Sequence, residues 1–414
     1  MRRSSYITLM SLLLPALLFS QKISISDFLR TARKDPKYQN ARELSTYVSG
    51  LNYALPLLQK LEFRAGADET SLSQGQYGIG LGFNSLVQRK EQFKFQSTQA
   101  TVFDKEADVA FLNALQERYL LISQFYYLQE LSDAQTKLNE LYEQKKFILR
   151  SMLERGLDIK IKDIILNEAD QYDLEKNLAQ NNLLYKQGLQ KAKILSGITL
   201  TEIDTSDFIQ INTIASFLEN NSDLNPASPN SSWRDAQIAL AQNEYRLQKA
   251  DENQLVSNFQ LGVQENSTST AWQNPYFRLA VKIPVIPYNR YKYNALFLDI
   301  KDLQLRKQLE EEKLKNNISL SSESILLMIN DYERQRKAFD NSMSGQILSN
   351  PKLMAEITAI EKIDIQIINQ KRVIDLVKTA NIVRSEYLNL ILLSGKASAY
   401  PLKNYLRNDL QEWK

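Results

Sequence analysis

The sequence predicts an α+β chain, mostly α, in which two tandem repeats each join a β-hairpin to a long antiparallel coiled-coil helical hairpin. Two patches, about 60–86 and 257–285, alternate apolar residues with polar or small ones at period two. Each patch leads into a run without Gly or Pro, Phe83 to Arg155 and Tyr288 to Ser344, a length reached by coiled-coil or barrel-type helices. The halves also superpose. Asp35-Pro36-Lys37-Tyr38 falls on Asn230-Ser231-Ser232-Trp233, Gly66 on Gly262, Ser85 on Pro284, and Ile194-Leu195-Ser196-Gly197 on Leu392-Leu393-Ser394-Gly395, with shifts between 195 and 199.

Residues 1–20 read as a secretory signal peptide. Arg2 and Arg3 precede an apolar run from Tyr6 to Phe19, and small Ser20 marks the expected cleavage point. A transmembrane anchor is the competing reading, but the run is broken by Pro15 and falls short of the ~20 residues that span a bilayer. No later stretch is apolar enough for a membrane helix, so any membrane insertion falls to strands.

Repeat 1 covers 21–197, with a short N-terminal helix, the first β-hairpin, and a helical hairpin about 88–196. Its strands place Leu61, Phe63, Ala65 and Ala67 against Glu62, Arg64, Gly66 and Asp68, then Tyr77, Ile79, Leu81 and Phe83 against Gly78, Gly80, Gly82 and Asn84. In repeat 2, 233–395, Phe259, Leu261 and Val263 face away from Asn258, Gln260, Gly262 and Gln264. There Phe277, Leu279, Val281 and Ile283 face away from Arg278, Ala280, Lys282 and Pro284. Each run is roughly the 9 to 11 residues of a tilted membrane strand. The alternation alone fits a soluble sheet packed on a helix equally well. The inner face favours a watery lumen, through Arg64, Asp68, Arg278 and Lys282. Tyr77, Trp272, Tyr276 and Phe277 suit an interfacial aromatic girdle. The segments from Glu69 to Gly75 and from Asn266 to Asn274 read as polar loops at the outer surface. Four strands cannot close a barrel, and lipid tolerates no open edge, so several copies must pool their strands.

Leu112, Leu115, Tyr119, Ile122 and Tyr126 keep the spacing of a left-handed supercoil seam, as do Ile360, Ile363, Ile367, Ile374 and Val377 with a polar gap at Gln370. Arg155-Gly156-Leu157-Asp158 reads as the first helical reversal and residues 345–354, with Gly345 and Asn350-Pro351, as the second. The second helical hairpin spans about 288–394. Residues 198–232, polar and holding Pro226 and Pro229, read as a linker, and 396–414 as a C-terminal tail.

Cys and His are absent, which removes thiolate and imidazole metal sites and every triad with a histidine base. An enzyme is not expected, nor a cofactor. A net charge of +3 over 414 residues gives no electrostatic case for nucleic acid.

In order and duplication these segments resemble the TolC family of outer-membrane efflux proteins. The resemblance covers nearly all of the mature chain. It is carried by Arg155-Gly156-Leu157, Asn167-Glu168-Ala169 and Leu195-Ser196-Gly197, by Asp35-Pro36, and by Ile283-Pro284-Val285-Ile286 at a strand-to-helix junction. Ser85 in place of the family's Pro and Asn350-Pro351 in place of Gly-Leu depart from it. The resemblance implies a homotrimer sharing a twelve-stranded β-barrel in outer-membrane lipid, a periplasmic α-barrel, and partnership with a periplasmic adaptor and an inner-membrane transporter. It implies adaptor docking at Arg155, Gly156, Leu157, Asn350 and Pro351. It also implies an acidic periplasmic aperture gate at Glu361 and Asp364, with Asp163 as the first-repeat counterpart. The rival from another class is a periplasmic coiled-coil adaptor or scaffold, which would carry one helical hairpin flanked by a compact β-rich domain.

Overall fold

The computed structural model describes residues 21–51, 55–68, 71–157, 160–198, 200–220, 228–252, 256–264, 275–281 and 290–413. The expected signal peptide, Asp158, Trp272, Lys282, the segment from Ile283 to Ile286 and the loop from Asn266 to Asn274 lie outside the described residues.

Strand β1 (Gln21–Ser24), helix α1 (Ile25–Arg30) and a 3₁₀ turn (Thr31–Lys34) precede α2 (Pro36–Gly50), the strands β2 (Leu58–Asp68) and β3 (Ser71–Phe83), and the helices α3 (Leu86–Glu154) and α4 (Ile161–Ser196). After β4 (Leu200–Asp204) and α5 (Ile211–Asn220) the order recurs: α6 (Pro229–Glu252), β5 (Val256–Gln264), β6 (Pro275–Val281), and α7 (Arg290–Asp340). Two short helices, α8 (Met343–Ser349) and α9 (Pro351–Glu356), then lead into α10 (Ala359–Leu393) and a 3₁₀ turn (Lys396–Ser398). The chain is mostly helical. It divides into two compact units, Lys37–Ala110 with Pro229–Lys313, and Met1–Pro36 with Phe111–Ser228 and Leu314–Lys414.

The first of these units holds one antiparallel sheet in the order β2-β3-β5-β6, so the hairpins of the two repeats join through β3 and β5. The register sorts the side chains by face. Phe63 lies opposite Ile79, Ile79 opposite Leu261, and Leu261 opposite Phe277. The next row runs Leu61, Leu81, Phe259, Leu279. A slip of one residue would invert both faces, so the period-two pattern pins the pairing. One expectation fails here. Residues 71–75, read as part of a polar loop, are strand, with Ser71 paired to Asp68 and Gly75 to Ala67. Backbone bonds in a hairpin need no apolar side chain, and the Ser and Gln of this stretch hid it.

Ser85 starts α3. Its hydroxyl accepts from the Gln88 N–H at 3.0 Å and its carbonyl from the Arg89 N–H at 3.0 Å, which makes it an N-cap. The departure from Pro thus keeps the strand-to-helix turn by a different device. Buried Asn84 donates to the Pro56 carbonyl at 2.8 Å, and Arg89 to that of Leu55 at 2.7 Å, which ties the turn to the entry of β2. In both repeats an ion pair joins the helix before the hairpin to the long helix after it, Arg42 to Asp104 at 2.7 Å and Arg234 to Glu310 at 3.1 Å.

The other unit carries the core. Phe28 and Leu29 of α1, Leu115, Tyr119 and Ile122 of α3, Ile214 of α5, Val383, Tyr387, Leu388 and Ile391 of α10, and Leu406 pack as one fully buried cluster. Each such side chain contributes on the order of 1.5–3 kcal/mol. A second cluster is a three-helix seam of Leu131, Ala134, Leu138 and Tyr142 from α3, Leu174 from α4, and Ile363, Ile367 and Ile374 from α10. Gln370, the polar gap, donates an amide N–H to the Ala134 carbonyl at 2.8 Å, so it sits in the seam as a hydrogen-bonded group.

Residues 198–232, read as a linker, fold over much of their described length. β4 pairs in parallel with β1, and Phe208, Ile209, Ile211, Ile214, Phe217 and Leu218 enter the main core. The tail is also folded, with Leu402, Tyr405, Leu406 and Trp413 buried and the Trp413 N–H bonded to the Leu402 carbonyl at 2.8 Å.

Candidate functional site

The polar face of the sheet is a hydrogen-bonded surface laid on glycine. Arg64 donates to Glu62 at 2.6 Å and to Gln260 at 3.4 Å, Gln260 donates to the Tyr276 hydroxyl at 2.9 Å, and Arg278 donates to Gln76 at 3.3 Å while its guanidinium lies 4.8 Å from the Tyr276 ring centre. Gly78 and Gly262 make room for this layer. A Cβ on Gly262 would stand 2.5 Å from the Tyr276 hydroxyl, and one on Gly78 would stand 2.7 Å from it. Tyr276, expected in an aromatic girdle, therefore belongs to the opposite face, whereas Tyr77 and Phe277 are on the apolar one. That apolar face is left open, with Phe63 77% and Leu61 67% exposed. Of the expected lumen residues, the structure places Arg64 and Arg278 in one network. Asp68 is described by its backbone pairing alone, and Lys282 is outside the described residues.

The first reversal closes α3 with paired backbone bonds. The Leu157 N–H reaches the Met152 carbonyl and the Gly156 N–H that of Leu153, both at 3.0 Å, and Gly156 adopts φ +69°. This is a Schellman ending, which needs a left-handed residue and usually takes glycine. Arg155, Gly156 and Leu157 are all exposed. The second reversal is longer. Ser342 caps α8 through the Gly345 N–H, Asn350 caps α9 through the Lys352 N–H at 3.0 Å with Pro351 in the first turn, and Thr358 caps α10. Asn350 and Pro351 thus start a short helix inside an extended turn.

Glu361 and Asp364 sit in the first turns of α10 but have different partners. Glu361 completes a capping box, accepting from the Thr358 N–H at 2.8 Å and hydroxyl at 2.7 Å, and those donors hold its pKa below the ordinary glutamate value. Asp364 pairs with Lys145 of α3 at 2.7 Å. Asp163 lies in the first turn of α4, where a carboxylate is favoured by the helix dipole. Nearby, Lys371 of α10 meets Asp170 of α4 at 3.1 Å, and the Tyr142 hydroxyl donates to the same carboxylate at 3.0 Å. Burial pushes the Asp170 pKa up, but the bonds from Lys371 and Tyr142 outweigh it and hold the carboxyl below its ordinary value. Lys145, Tyr142, Asp170 and Lys371 went unnoticed in the sequence. The one available signal was their place beside seam positions on helices that must pack together.

Arg118 was also missed, a fully buried cation among apolar neighbours. It donates to the Leu195 carbonyl at 2.6 Å, the Ala114 carbonyl and the Thr31 hydroxyl at 2.8 Å each, and faces Asp35 at 3.5 Å. The Asp35-Pro36 and Leu195-Ser196-Gly197 segments thereby meet at one side chain. Among the described residues there is no group of acidic, His or Cys side chains that could hold a metal ion, and no helix is long and apolar enough to cross a membrane.

No family model matches the sequence, and no curated protein matches it. Solved structures do. The open state of the MtrE outer membrane channel of Neisseria gonorrhoeae aligns over 94% of this chain and 90% of its own, at 11% identity and a TM-score of 0.62. The outer membrane protein VceC of Vibrio cholerae aligns over 90% and 95%, at 10% identity and 0.61. The CmeC outer membrane channel of Campylobacter jejuni aligns over 89% and 83%, at 10% identity and 0.57. Over about nine tenths of its length the chain has the fold of these outer membrane channel proteins.

Proposed function

We propose that the chain is one subunit of a homotrimeric outer-membrane channel-tunnel in a Gram-negative bacterium, a passive conduit in a tripartite efflux or type I secretion system. The observation that carries this is the sheet. It has one apolar, solvent-exposed face, one polar face, and two edge strands, β2 and β6, with a single neighbour each. Lipid would cover the first face, water the second, and β6 of one copy would pair with β2 of the next to close a twelve-stranded barrel. The long helices carry exposed apolar side chains beside their buried stripes, Leu120 of α3, Ile165 of α4, Leu327 of α7 and Ile368 of α10 among them, and would pack copy against copy into the periplasmic α-barrel.

Arg155, Gly156 and Leu157 at one reversal, with Asn350 and Pro351 at the other, are the proposed contacts for a periplasmic adaptor, which would link the conduit to an inner-membrane transporter. Glu361, Asp364 and Asp163 are the proposed aperture residues. Three copies would set their carboxylates in rings that attract cations. The transporter would supply the energy and the chain needs no cofactor. The test is purification from outer membranes in detergent, with the oligomeric mass and single-channel conductance measured. A trimer that conducts is the expected result. A water-soluble monomer that forms no channel would overturn the proposal.

A further inference from the structure

We infer that the barrel end of the conduit selects for anionic solutes, and that Arg278 is the residue that does it. This rests on the proposed channel and goes beyond it, because the proposed aperture carboxylates would favour cations. On the polar face of the sheet the described side chains hold three cations, Lys60, Arg64 and Arg278, against one carboxylate, Glu62. Glu62 is shared. It forms ion pairs with both Lys60 and Arg64, so its single charge answers those two neighbours. Arg278 has no carboxylate among its described partners. It rests on the Tyr276 ring and donates one bond to the Gln76 side-chain carbonyl, both neutral.

The surroundings hold that guanidinium in place. Gln260, 7% exposed, bonds the Tyr276 hydroxyl from beneath. The absence of a Cβ at Gly78 and Gly262 lets Tyr276 and Gln260 lie along the sheet. The result is a fixed, exposed planar cation with donors to spare, suited to carboxylate, phosphate or sulfonate groups passing the wall. Three copies would form a positive collar, and a unit charge acts over about 8 Å at physiological salt before screening removes it. The chemistry of recognition is that of small organic anions.

The test is the reversal potential of the full-length trimer in planar bilayers under a KCl gradient, with the dilute side at the barrel mouth. Arg278→Glu is expected to lower the chloride-to-potassium permeability ratio relative to wild type by at least about twofold, and Glu62→Gln, which frees Lys60 and Arg64, to raise it. The readout is the displacement from wild type, so fixed charges elsewhere in the tunnel cancel. Conducting trimers whose reversal potential moves with neither substitution would overturn this inference alone. A wild-type protein that forms no conducting channel would overturn the channel assignment and this inference together.

Discussion

The two helical hairpins, α3–α4 and α7–α10, reverse direction by different chemistry. In the first, backbone does the work. A single left-handed glycine lets two N–H groups turn back onto the last carbonyls of α3, and no side chain takes part in those bonds. In the second, side chains dominate. Ser342, Asn350 and Thr358 each cap a helix start, and Glu361 closes the last cap. Both hairpins end alike, with Gly197 and Gly395 at φ +72°, yet among the described residues only the first has a last-turn carbonyl held by a buried arginine, since Arg118 bonds Leu195. The two halves thus share their closing glycines and differ in their reversals. A backbone turn tolerates substitution everywhere except at its glycine. A chain of caps spreads the same task over several replaceable residues.

The largest effect should come from Arg118→Met. It strands the Leu195, Ala114 and Thr31 carbonyls in the core and removes the cation that lies 3.5 Å from Asp35, a loss of roughly 3 kcal/mol or more. Thermal unfolding in detergent would show it. Arg118→Lys restores the charge but cannot span the fork of acceptors, so it should recover only part. A wild-type midpoint for the methionine variant would show that the first hairpin's closure needs no arginine.

Next comes Gly156. A Cβ there meets nothing within 4 Å, so the cost of Gly156→Val is conformational, about 1–2 kcal/mol for forcing a branched residue to positive φ. Gly156→Asn should lose less, because Asn tolerates this region. Hydrogen exchange at the end of α3 reports the local loss, and export in cells reports docking. Trimers of Gly156→Val that export normally would remove this reversal from the adaptor contacts. Asn350→Ala should cost about 1 kcal/mol, the usual worth of an N-cap, and its effect should stay within α9. Faster exchange there with an unchanged melting midpoint is the expected pattern.

The contrast also bears on what the sequence could reveal. The first reversal was legible because glycine is its whole mechanism, and the strands were legible because alternation at Leu61, Phe63, Ile79 and Leu261 follows from a sheet with two unlike faces. The long helices followed from the missing breakers. What escaped was set by tertiary context. Ile211, Ile214 and Phe217 in the stretch read as a linker have helical spacing, but flanking Asn and Pro outweighed a short pattern. Tyr276 looked like a girdle residue until the register placed it with Gln260. The Lys145–Asp364 and Lys371–Asp170 pairs join residues distant in sequence, and charge at a seam margin does not name its partner. Among the proposed aperture residues, Glu361 sits at a position where a carboxylate already has a structural use in the capping box.

That use allows charge and cap to be separated. Glutamine at the third helical position also completes a capping box, so Glu361→Gln should keep the cap at a small local cost and leave the global melting midpoint nearly unchanged while removing the charge. A shift of reversal potential away from potassium is then the expected consequence of the aperture assignment, and unchanged selectivity would count against it.

The smallest effect distinguishes the reversals by pH. Glu361 and Asp170 have folded-state pKa values below their ordinary ones, so their contributions are complete above the ordinary carboxylate range and are lost as pH falls through the depressed values. Lys371 is the opposite case. Burial lowers its pKa, but the bonds to Tyr142 and Asp170 raise it further, so its contribution is present at neutral pH and lost as pH rises through the elevated value. The start of α10 should therefore loosen in acid, where Glu361 and Asp170 are protonated, and its tie to α4 should loosen again in strong alkali. The end of α3, held by amide and carbonyl groups that do not titrate in this interval, should do neither. These pairs are exposed, so each change is small. Exchange protection, corrected for the intrinsic rate at each pH, should fall at 359–372 in acid and stay level at 150–157. Equal losses at both would mean that the second reversal is not held by its carboxylates and that the two hairpins turn by the same means after all.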